Sequence, residues 1–335
     1  MLRGFLLGAV FSCFAMPALA LDQLPRPAPK AQTISVTTKV LRSFDGSFEE
    51  GETFGKLVWI GGLELDSPEP LFGGFSGIAF LDAQRFLAIG DKGTALSARL
   101  VYSEGRPVGV DHVRFGFLPG LGENLAEWQR DAEGVDLRGD EALVSFEGDT
   151  RVMRYGLIDG EPRRVLGRLS LNKDIRAANR ANTGLEAVAV APDGTAFAGQ
   201  VLLLSEAVKD GRVRGWILSD EATESFSLPQ SGDLLATDAA FTADGDLLVL
   251  ERSFSLLGGL VIEVRRVRAK DLVAGRIEAV DTLLRATLSK SIDNMEGIAV
   301  QSMPDGNSLV TLISDDNLSA FQRTLLLQFM LPAGQ

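Results

Sequence analysis

Carboxylate side chains recur at matched positions along this chain, in repeats that begin 52 to 58 residues apart. They form two rows, each with one member in every copy of the repeat. The first row opens an apolar stretch and consists of Ser76, Glu133, Glu186, Asp238 and Glu296. The second row ends the next apolar stretch and consists of Asp91, Glu147, Glu206, Glu251 and Asp315. Nine of these ten residues are acids, although duplication of one repeat would carry an acid into every copy.

Grouped carboxylates are suited to binding hard cations. Like charges held close together need compensation, and calcium accepts 6–8 oxygen ligands in flexible geometry. If the fold brings the rows together, we therefore expect a calcium site. A lone acid beside a turn more often accepts backbone hydrogen bonds, so this expectation depends on the rows as a whole. The predicted metal ligands are Glu133, Glu186, Asp238 and Glu296.

Short β-strands must position these acids, because alternating apolar stretches and Asp-Gly turns dominate the repeat. In one copy, Glu186–Val190 and Leu202–Glu206 flank a turn at Pro192–Gly194. Room for two more strands follows, as at Arg151–Leu157 and Arg163–Ser170 in the preceding copy. Four-stranded antiparallel units repeating at about 50 residues are typical of a β-propeller. We predict an all-β chain with one propeller domain at residues 34–331.

The repeats give five blades, with six as the alternative. The last repeat ends after its third strand, near Thr324–Leu331, so its outer strand must come from Lys56–Leu65 near the other end of the chain. This pairing would close the ring, and Thr33–Leu41 would add an edge strand. In antiparallel blades, the start of the first strand and the end of the second lie at one rim. Both acid rows are therefore expected at one channel mouth.

Two basic residues directly follow acids of the second row. Lys92 follows Asp91, and Arg252 follows Glu251. Cationic groups beside a carboxylate-bound cation would suit a small anionic substrate such as a phosphate ester. Lys92 and Arg252 are thus the predicted substrate-binding residues. Other basic residues of the long connections are better interpreted as solvated loop charges; they are Arg130, Lys173, Arg176, Arg180 and Lys290.

Composition excludes several other functions. The 335 residues carry a net charge of −12, which disfavours binding to nucleic acid because phosphate backbones need a basic face. One His and one Cys leave no Cys/His zinc site and no thiol catalysis. No Gly-x-Ser-x-Gly motif is present, and His112 lies in an outer-strand pattern. Hydrolysis would therefore be metal-assisted with a carboxylate base, and the predicted catalytic residues are Glu186 and Glu296.

The amino terminus has the pattern of a secretory signal peptide. A basic Arg3, an apolar run from Phe5 to Phe14 and an Ala-x-Ala site ending at Ala20 predict cleavage after Ala20. Residues 21–33 are Pro-rich and polar, as in a linker. No later segment is long enough to cross a membrane. We therefore expect a periplasmic or secreted protein without a membrane anchor, and a monomer.

Four motifs resemble those of the phytase-like propeller family, bacterial secreted proteins described as having esterase-like activity. They are Gly73–Gly77, Asn182–Glu186, Leu250–Ser253 and Asn294–Ala299, and the resemblance extends over Phe72–Met330. It implies a propeller, hydrolysis of esters or phosphoesters, and calcium held by acids. The resemblance places four acids at the family's recurrent positions: Glu133, Glu186, Glu251 and Glu296. Asp238 replaces Glu and Ser76 departs from the row, while β-propeller phytases have six blades rather than the five counted here.

Three functions are consistent with these observations. The first is a secreted, calcium-dependent hydrolase of phosphoesters or other esters, with its site at the acidic mouth. The second is a non-catalytic periplasmic propeller that binds a ligand or partner, since propellers support many unrelated functions. The third is a lactonase or glycosidase that uses paired carboxylates. The Glu-Gly-Ile-Ala element at Glu296–Ala299 also occurs in gluconolactonase-like propellers.

Overall fold

A computed structural model describes residues 31–46, 51–122, 124–179, 184–256, 258–273, 275 and 277–335. The predicted signal peptide (1–20) and most of the predicted linker (21–33) lie outside these residues. Among the described residues, no helix has the length and apolar character needed to cross a bilayer. Three short helices are present: α1 (Glu127–Arg130), α2 (Lys173–Ala178) and α3 (Ala269–Val273).

The strands, in chain order, are β1 (Gln32–Thr33), β2 (Thr37–Leu41), β3 (Thr53–Phe54), β4 (Leu57–Asp66), β5 (Phe75–Phe80), β6 (Arg85–Gly90), β7 (Thr94–Ser103), β8 (Arg106–Phe117), β9 (Ala132–Arg138), β10 (Glu141–Phe146), β11 (Arg151–Ile158), β12 (Glu161–Arg168), β13 (Leu185–Val190), β14 (Val201–Lys209), β15 (Arg212–Leu218), β16 (Thr223–Pro229), β17 (Leu235–Phe241), β18 (Leu247–Ser255), β19 (Gly259–Val267), β20 (Asp281–Thr287), β21 (Asn294–Ser302), β22 (Ser308–Asp315) and β23 (Thr324–Leu331).

These strands form a propeller of five antiparallel blades. Blades 1 to 4 are β5–β8, β9–β12, β13–β16 and β17–β20, and blade 5 is β21, β22, β23 and β4. The inner strands β5, β9, β13, β17 and β21 contact one another around the channel. The predicted fold and the count of five are confirmed, and the alternative of six blades is wrong for the described residues.

The ring closes through the outer strand of blade 5, as predicted. Strand β4 pairs antiparallel with β23, with Thr324 opposite Leu65 and Met330 opposite Val58. Strand β2 adds to the free edge of β4, and β1 adds to β8 of blade 1. The amino-terminal segment is therefore hydrogen-bonded to both blades that meet at the seam of the ring.

Glycine lets the inner strands pack closely around the channel. A Cβ at Gly134 would lie 2.5 Å from the carbonyl oxygen of Glu186 and 2.9 Å from the amide nitrogen of Val188. A Cβ at Gly297 would lie 3.0 Å from the Cα of Gly77. The glycine that follows the first-row residue in these repeats is thus required by the approach of the next blade.

Aromatic side chains fill the core where the ring closes. Trp59 on β4 is 1% exposed, stacks on Phe44 at 5.3 Å and meets Phe329 of β23 edge-on at 5.1 Å. Its indole Nε1 donates a hydrogen bond to the carbonyl of Arg42 at 3.2 Å. Because aromatic burial is a large apolar contribution, this cluster stabilises the join between the first and last strands of the ring.

We expect Trp59→Ala to lower the free energy of unfolding by about 3–5 kcal/mol, the usual effect of removing a buried aromatic. Trp128→Ala is the matched control, because Trp128 is 55% exposed, and it should change stability by less than about 0.5 kcal/mol. Urea unfolding followed by circular dichroism measures both variants. Equal losses in the two variants would show that the seam does not depend on this cluster.

Candidate functional site

The inner strands begin, and the second strands end, at one mouth of the channel. Leu185 pairs with Ser205 in blade 3, and Met295 pairs with Ser314 in blade 5. The strand register shifts at the first-row residue in several blades, between Leu185 and Ala187 and between Met295 and Gly297. A β-bulge of this kind leaves one residue unpaired and re-aims its side chain. Glu186 and Glu296 occupy these unpaired positions.

Blade 4 differs from the sequence repeat by one residue. Its register shift lies between Ala236 and Asp238, so Thr237 occupies the position of Glu186 and Glu296. Asp238 lies one residue further along the channel and is 1% exposed. Its carboxylate accepts hydrogen bonds at 2.8 Å from the backbone N–H groups of Ala239 and Ile298. Asp238 therefore joins blades 4 and 5, apart from the acids at the mouth.

The same shift moves Arg252 into the second row. Arg252 pairs with Leu235, the first residue of β17, and Glu251 pairs with Ala236. In blade 5, the second-row residue Asp315 pairs with the first residue of β21, Asn294. Glu251 is fully buried and accepts hydrogen bonds from Arg265 at 2.8 and 3.0 Å. The expectation that Glu251 faces the mouth is wrong, and blade 4 contributes a guanidinium in its place.

Two overlapping groups of carboxylates lie between blades 2 and 3. One oxygen from each of Asp131, Glu133 and Glu147 lies within 4.8 Å of the other two, and the same holds for Glu147, Glu186 and Glu206. Glu147 belongs to both groups. Glu133 and Glu186 are ligands predicted from the sequence, and Glu147 and Glu206 belong to the second row. Asp131 is not among the predicted ligands, although it is an acid two residues before Glu133.

The mouth carboxyl groups have pKa values raised above their ordinary range. Burial, followed by the charges of Glu147 and Asp91, raises the pKa of Asp131 to about 6. Burial and neighbouring acids hold the pKa values of Glu133 and Glu186 well above their ordinary range. Burial also raises the pKa of Asp315 to about 7. The cluster therefore carries a repulsion that a bound cation would relieve.

The two predicted substrate-binding residues flank the cluster on opposite sides. Arg252 Nη2 lies 2.6 Å from Glu296 Oε1, and Lys92 Nζ lies 2.8 Å from Asp91 Oδ2. Asn294 adds an amide donor, since its Nδ2 lies 2.9 Å from Glu296 Oε1. The guanidinium also interacts electrostatically with Glu186 and Glu206. Glu133, Glu186, Glu296, Lys92 and Arg252 are thus brought together at the mouth, whereas Asp238 is not.

The donor set fits a hard cation that prefers oxygen ligands. Every member of the two groups is a carboxylate, and Asp91 Oδ1 is a further buried oxygen that has no hydrogen-bond partner in the described structure. Calcium bonds oxygen at 2.3–2.6 Å, so oxygens within 4.8 Å of one another can share one ion. Imidazole takes no part, because His112 is 73% exposed on β8, and Cys13 lies outside the described residues.

The predicted loop charges do not form a second binding surface. Arg130 Nη1 lies 3.4 Å from the carbonyl of Lys92, and Lys290 pairs with Asp45 at 3.1 Å. Lys173 and Arg176 lie on helix α2. Arg180 and the first two residues of the Asn182–Glu186 motif lie outside the described residues.

Residues 70–318 match the phytase-like family, whose description is esterase-like activity of phytase. The chain belongs to this family. Acidic clusters are thus present in a propeller of a family in which metal ions are common, as the resemblance of the motifs implied. Comparison with curated proteins found no match.

Several solved propellers are similar in structure. A PQQ-bound aldose sugar dehydrogenase from Streptomyces coelicolor is 12% identical, with 89% of this chain and 99% of that chain covered and a TM-score of 0.42. A glutaminyl cyclase from Myxococcus xanthus is 11% identical, with 89% and 97% covered and a TM-score of 0.42. Neither score reaches 0.5, so no feature of the site is inferred from these proteins.

A pocket of about 930 Å³ opens at the opposite end of the channel. The carboxyl-terminal halves of inner strands line it with residues such as Ile78, Ala239 and Ile298. Its buried carboxylate, Asp136, accepts hydrogen bonds at 2.7 Å from the N–H groups of Val190 and Leu137. Both groups of clustered carboxylates found among the described residues lie at the other end of the channel, so the acidic mouth is the candidate site.

We expect Glu186→Gln to raise the melting temperature of the calcium-free protein by about 2 °C or more at pH 7.5. The raised pKa of Glu186 means that the folded state favours its protonated form, so its ionisation costs stability as the pH rises above about 4. The gain should vanish at pH 4.5, where the wild-type carboxyl is protonated. Thermal unfolding in chelator at both pH values measures it.

Glu141→Gln is the matched control, because the guanidinium groups of Arg154 and Arg138 hold the pKa of the Glu141 carboxyl below its ordinary value, so its ionised form stabilises the fold. It should lower the melting temperature slightly at pH 7.5 instead of raising it. Saturating calcium should reverse the order of wild type and Glu186→Gln. Identical melting curves for these two proteins at pH 7.5 in chelator would contradict a repulsive cluster.

Proposed function

We propose that the protein is a calcium-dependent hydrolase of phosphoesters or other esters, acting at the acidic mouth. The observation that carries the proposal is the pair of carboxylate groups sharing Glu147, with the guanidinium of Arg252 beside them. The proposal includes a monomer and a small anionic substrate. It also includes a periplasmic or secreted location, drawn from the signal-peptide pattern at Met1–Ala20.

The residues that would hold the metal are Asp131, Glu133, Glu147, Glu186 and Glu206. When bound, calcium supplies Lewis acidity toward an ester or phosphoryl oxygen and lowers the pKa of a bound water. Asp238 is not assigned to the metal, because both of its carboxylate oxygens accept backbone N–H groups. Its contribution is to fix the position of β21, and with it Glu296.

Glu186 and Glu296 are assigned the handling of protons and water. Burial and neighbouring acids raise the pKa of the Glu186 carboxyl, which makes it a stronger base than an exposed glutamate. Glu296 is oriented by Arg252 and Asn294, which both donate to its Oε1 atom. Its carboxylate therefore orients a water or the substrate at the border between the acids and the guanidinium.

Arg252 and Lys92 are assigned to the anionic part of the substrate. Arg252 Nε is buried and has no hydrogen-bond partner in the described structure, so the guanidinium retains donor capacity beyond its ion pair with Glu296. A charge-assisted hydrogen bond to an anionic oxygen is stronger than a neutral one. Lys92, which is held by Asp91, adds a point charge on the other side of the mouth.

We expect Glu186→Gln to lower kcat for phosphomonoester or carboxyl ester hydrolysis by about 100-fold or more, the usual contribution of a positioned base. The residual rate should no longer respond to calcium. Steady-state kinetics with calcium and with chelator measure both effects. Glu141→Gln is the matched control, because Glu141 pairs with Arg138 and Arg154 at the far end of blade 2, away from the mouth.

The outcomes separate the three candidate functions. Absence of turnover on every ester, in folded and calcium-loaded protein, would replace the hydrolase by a binding propeller. Turnover of lactones or glycosides alone would assign the carboxylates to that chemistry. Turnover that persists unchanged in chelator would overturn the metal site while leaving the mouth as the centre of reaction.

We expect Arg252→Gln to raise KM for an anionic phosphoester by about tenfold or more, because a hydrogen bond to a charged group contributes about 1.5–3 kcal/mol. KM for a neutral carboxyl ester should change much less. The measurement is the ratio of the rise in KM for the phosphoester to the rise in KM for the carboxyl ester. An equal rise for both substrates would mean that Arg252 only orients Glu296.

A further inference from the structure

Five exposed apolar side chains lie on one side of the mouth face, whereas one, Trp128 of α1, lies on the other side. The five lie on blades 4 and 5, and the most exposed projects fully into solvent. We call this surface the apolar ridge; its members are Phe254 (67% exposed), Leu256 (96%), Leu288 (60%), Leu318 (38%) and Phe321 (99%). Scattered exposed hydrophobic residues are ordinary, whereas a group on one surface marks a binding region.

A projecting hairpin forms the blade 4 part of the ridge. Strands β18 and β19 stay paired up to Ser255 and Gly259, three residues beyond Arg252 at the rim. At about 3.3 Å per residue, the hairpin stands about 10 Å above the mouth. Leu288, at the end of β20, lies beside it, since a Cβ at Gly259 would be 3.8 Å from Leu288 Cδ1. Phe254, Leu256 and Leu288 therefore lie near one another at this end of blade 4.

The blade 5 part of the ridge is a loop held in an unfavourable backbone conformation. Asn317 and Leu318 have φ values of 50° and 48°, a region that costs energy for residues other than glycine. Two side-chain acceptors stabilise it: Asp315 Oδ1 accepts from Asn317 N–H at 2.5 Å, and Asp316 Oδ1 from Leu318 N–H at 3.0 Å. The loop thus presents Leu318 and Phe321 to solvent from a fixed base.

The ridge is also nearly without charge. Residues 253–261 and 286–289 contain no ionisable side chain, and residues 316–322 contain only Asp316. Beyond the second-row position, the corresponding turns of blades 1 to 3 are charged; they carry Lys92, Asp149, and Lys209 and Asp210. The turns around the mouth are thus charged on blades 1 to 3 and mostly apolar on blades 4 and 5, outside the charged groups of the mouth itself. Arg252 stands at the border.

We propose that the substrate is an amphiphilic ester or phosphoester, whose polar head binds at the carboxylates and Arg252 and whose hydrocarbon chain lies on the apolar ridge. This deepens the proposed function and rests on it. The apolar ridge carries almost no charge, so it favours a hydrocarbon chain over a second ionic group of the substrate. Burial of exposed Phe and Leu side chains against a chain of methylenes supplies the binding energy.

The reaction is hydrolysis, and it balances without a further reactant. The oxygen of water bonds to the acyl carbon or the phosphorus, and the bond from that atom to the ester oxygen breaks. One proton of the water passes through the carboxylate of Glu186 to the leaving alcohol. The hydrocarbon chain contributes to binding and positioning only.

Chain-length dependence tests this proposal. We expect kcat/KM for p-nitrophenyl esters to rise from acetate to octanoate by about threefold per methylene, slightly less than complete burial would give. Phe254→Ser/Phe321→Ser should keep the wild-type rate on the acetate and lose most of this rise. The matched control is Ile158→Ser/Val273→Ser, which removes exposed apolar side chains away from the mouth. It should leave the whole series unchanged.

A binding measurement keeps the proposal separate from catalysis. Methylphosphonate and octylphosphonate have the same head and cannot be hydrolysed, so calorimetry with calcium compares their affinities directly. We expect octylphosphonate to bind at least tenfold more tightly to the wild type, and about equally to Phe254→Ser/Phe321→Ser. If no ester is hydrolysed but this difference is present, the proposed hydrolase fails and the ridge stands. The ridge proposal is overturned if chain length affects neither affinity nor rate. It is also overturned if the effect of chain length persists in the double variant.

Discussion

The crowding of carboxyl groups at the channel mouth is the constraint on which the rest of the site depends. Five inner strands pack so closely that glycine is needed at Gly134 and Gly297. Each strand starts at the same rim, so acids at these starts cannot move apart without opening the ring. The crowding affects the titration of these groups instead, because burial and neighbouring acids raise the pKa values of Glu133 and Glu186. Fold stability and site chemistry are therefore coupled through one set of side chains.

Blade 4 breaks the symmetry that the repeat would impose. A ring with five identical blades would hold one continuous ring of acids, with no polarity in the plane of the mouth. A one-residue shift in β17 and β18 substitutes Thr237 and Arg252 for two acids and gives the mouth a cationic side. The hairpin that carries Arg252 also carries Phe254 and Leu256, so one blade departs from the others in both charge and shape.

The sequence was sufficient for the fold, because strand alternation and Asp-Gly turns recur in every repeat and fix the number of blades. The pairing of β4 with β23 also followed, since the last repeat lacked a strand and the first had one to spare. The register within blade 4 could not be predicted, because a β-bulge changes which residue faces the channel without changing composition. Asp238 and Glu251 were misplaced for this reason. Asp131 was missed because it precedes its strand and has no counterpart in the other repeats.

The way the ring closes has a consequence for the order of folding. Strand β4 is made early in synthesis, yet its partner β23 comes more than 250 residues later. Contacts so distant in sequence form slowly, because a long loop must be closed before they contribute. Until then β4 is an unpaired strand rich in Val, Ile, Leu and Trp, a template for pairing with another chain. Strand β2, adjacent in sequence, can cover one edge of β4 as soon as both have been made, which leaves a single edge to be protected until the last blade is complete.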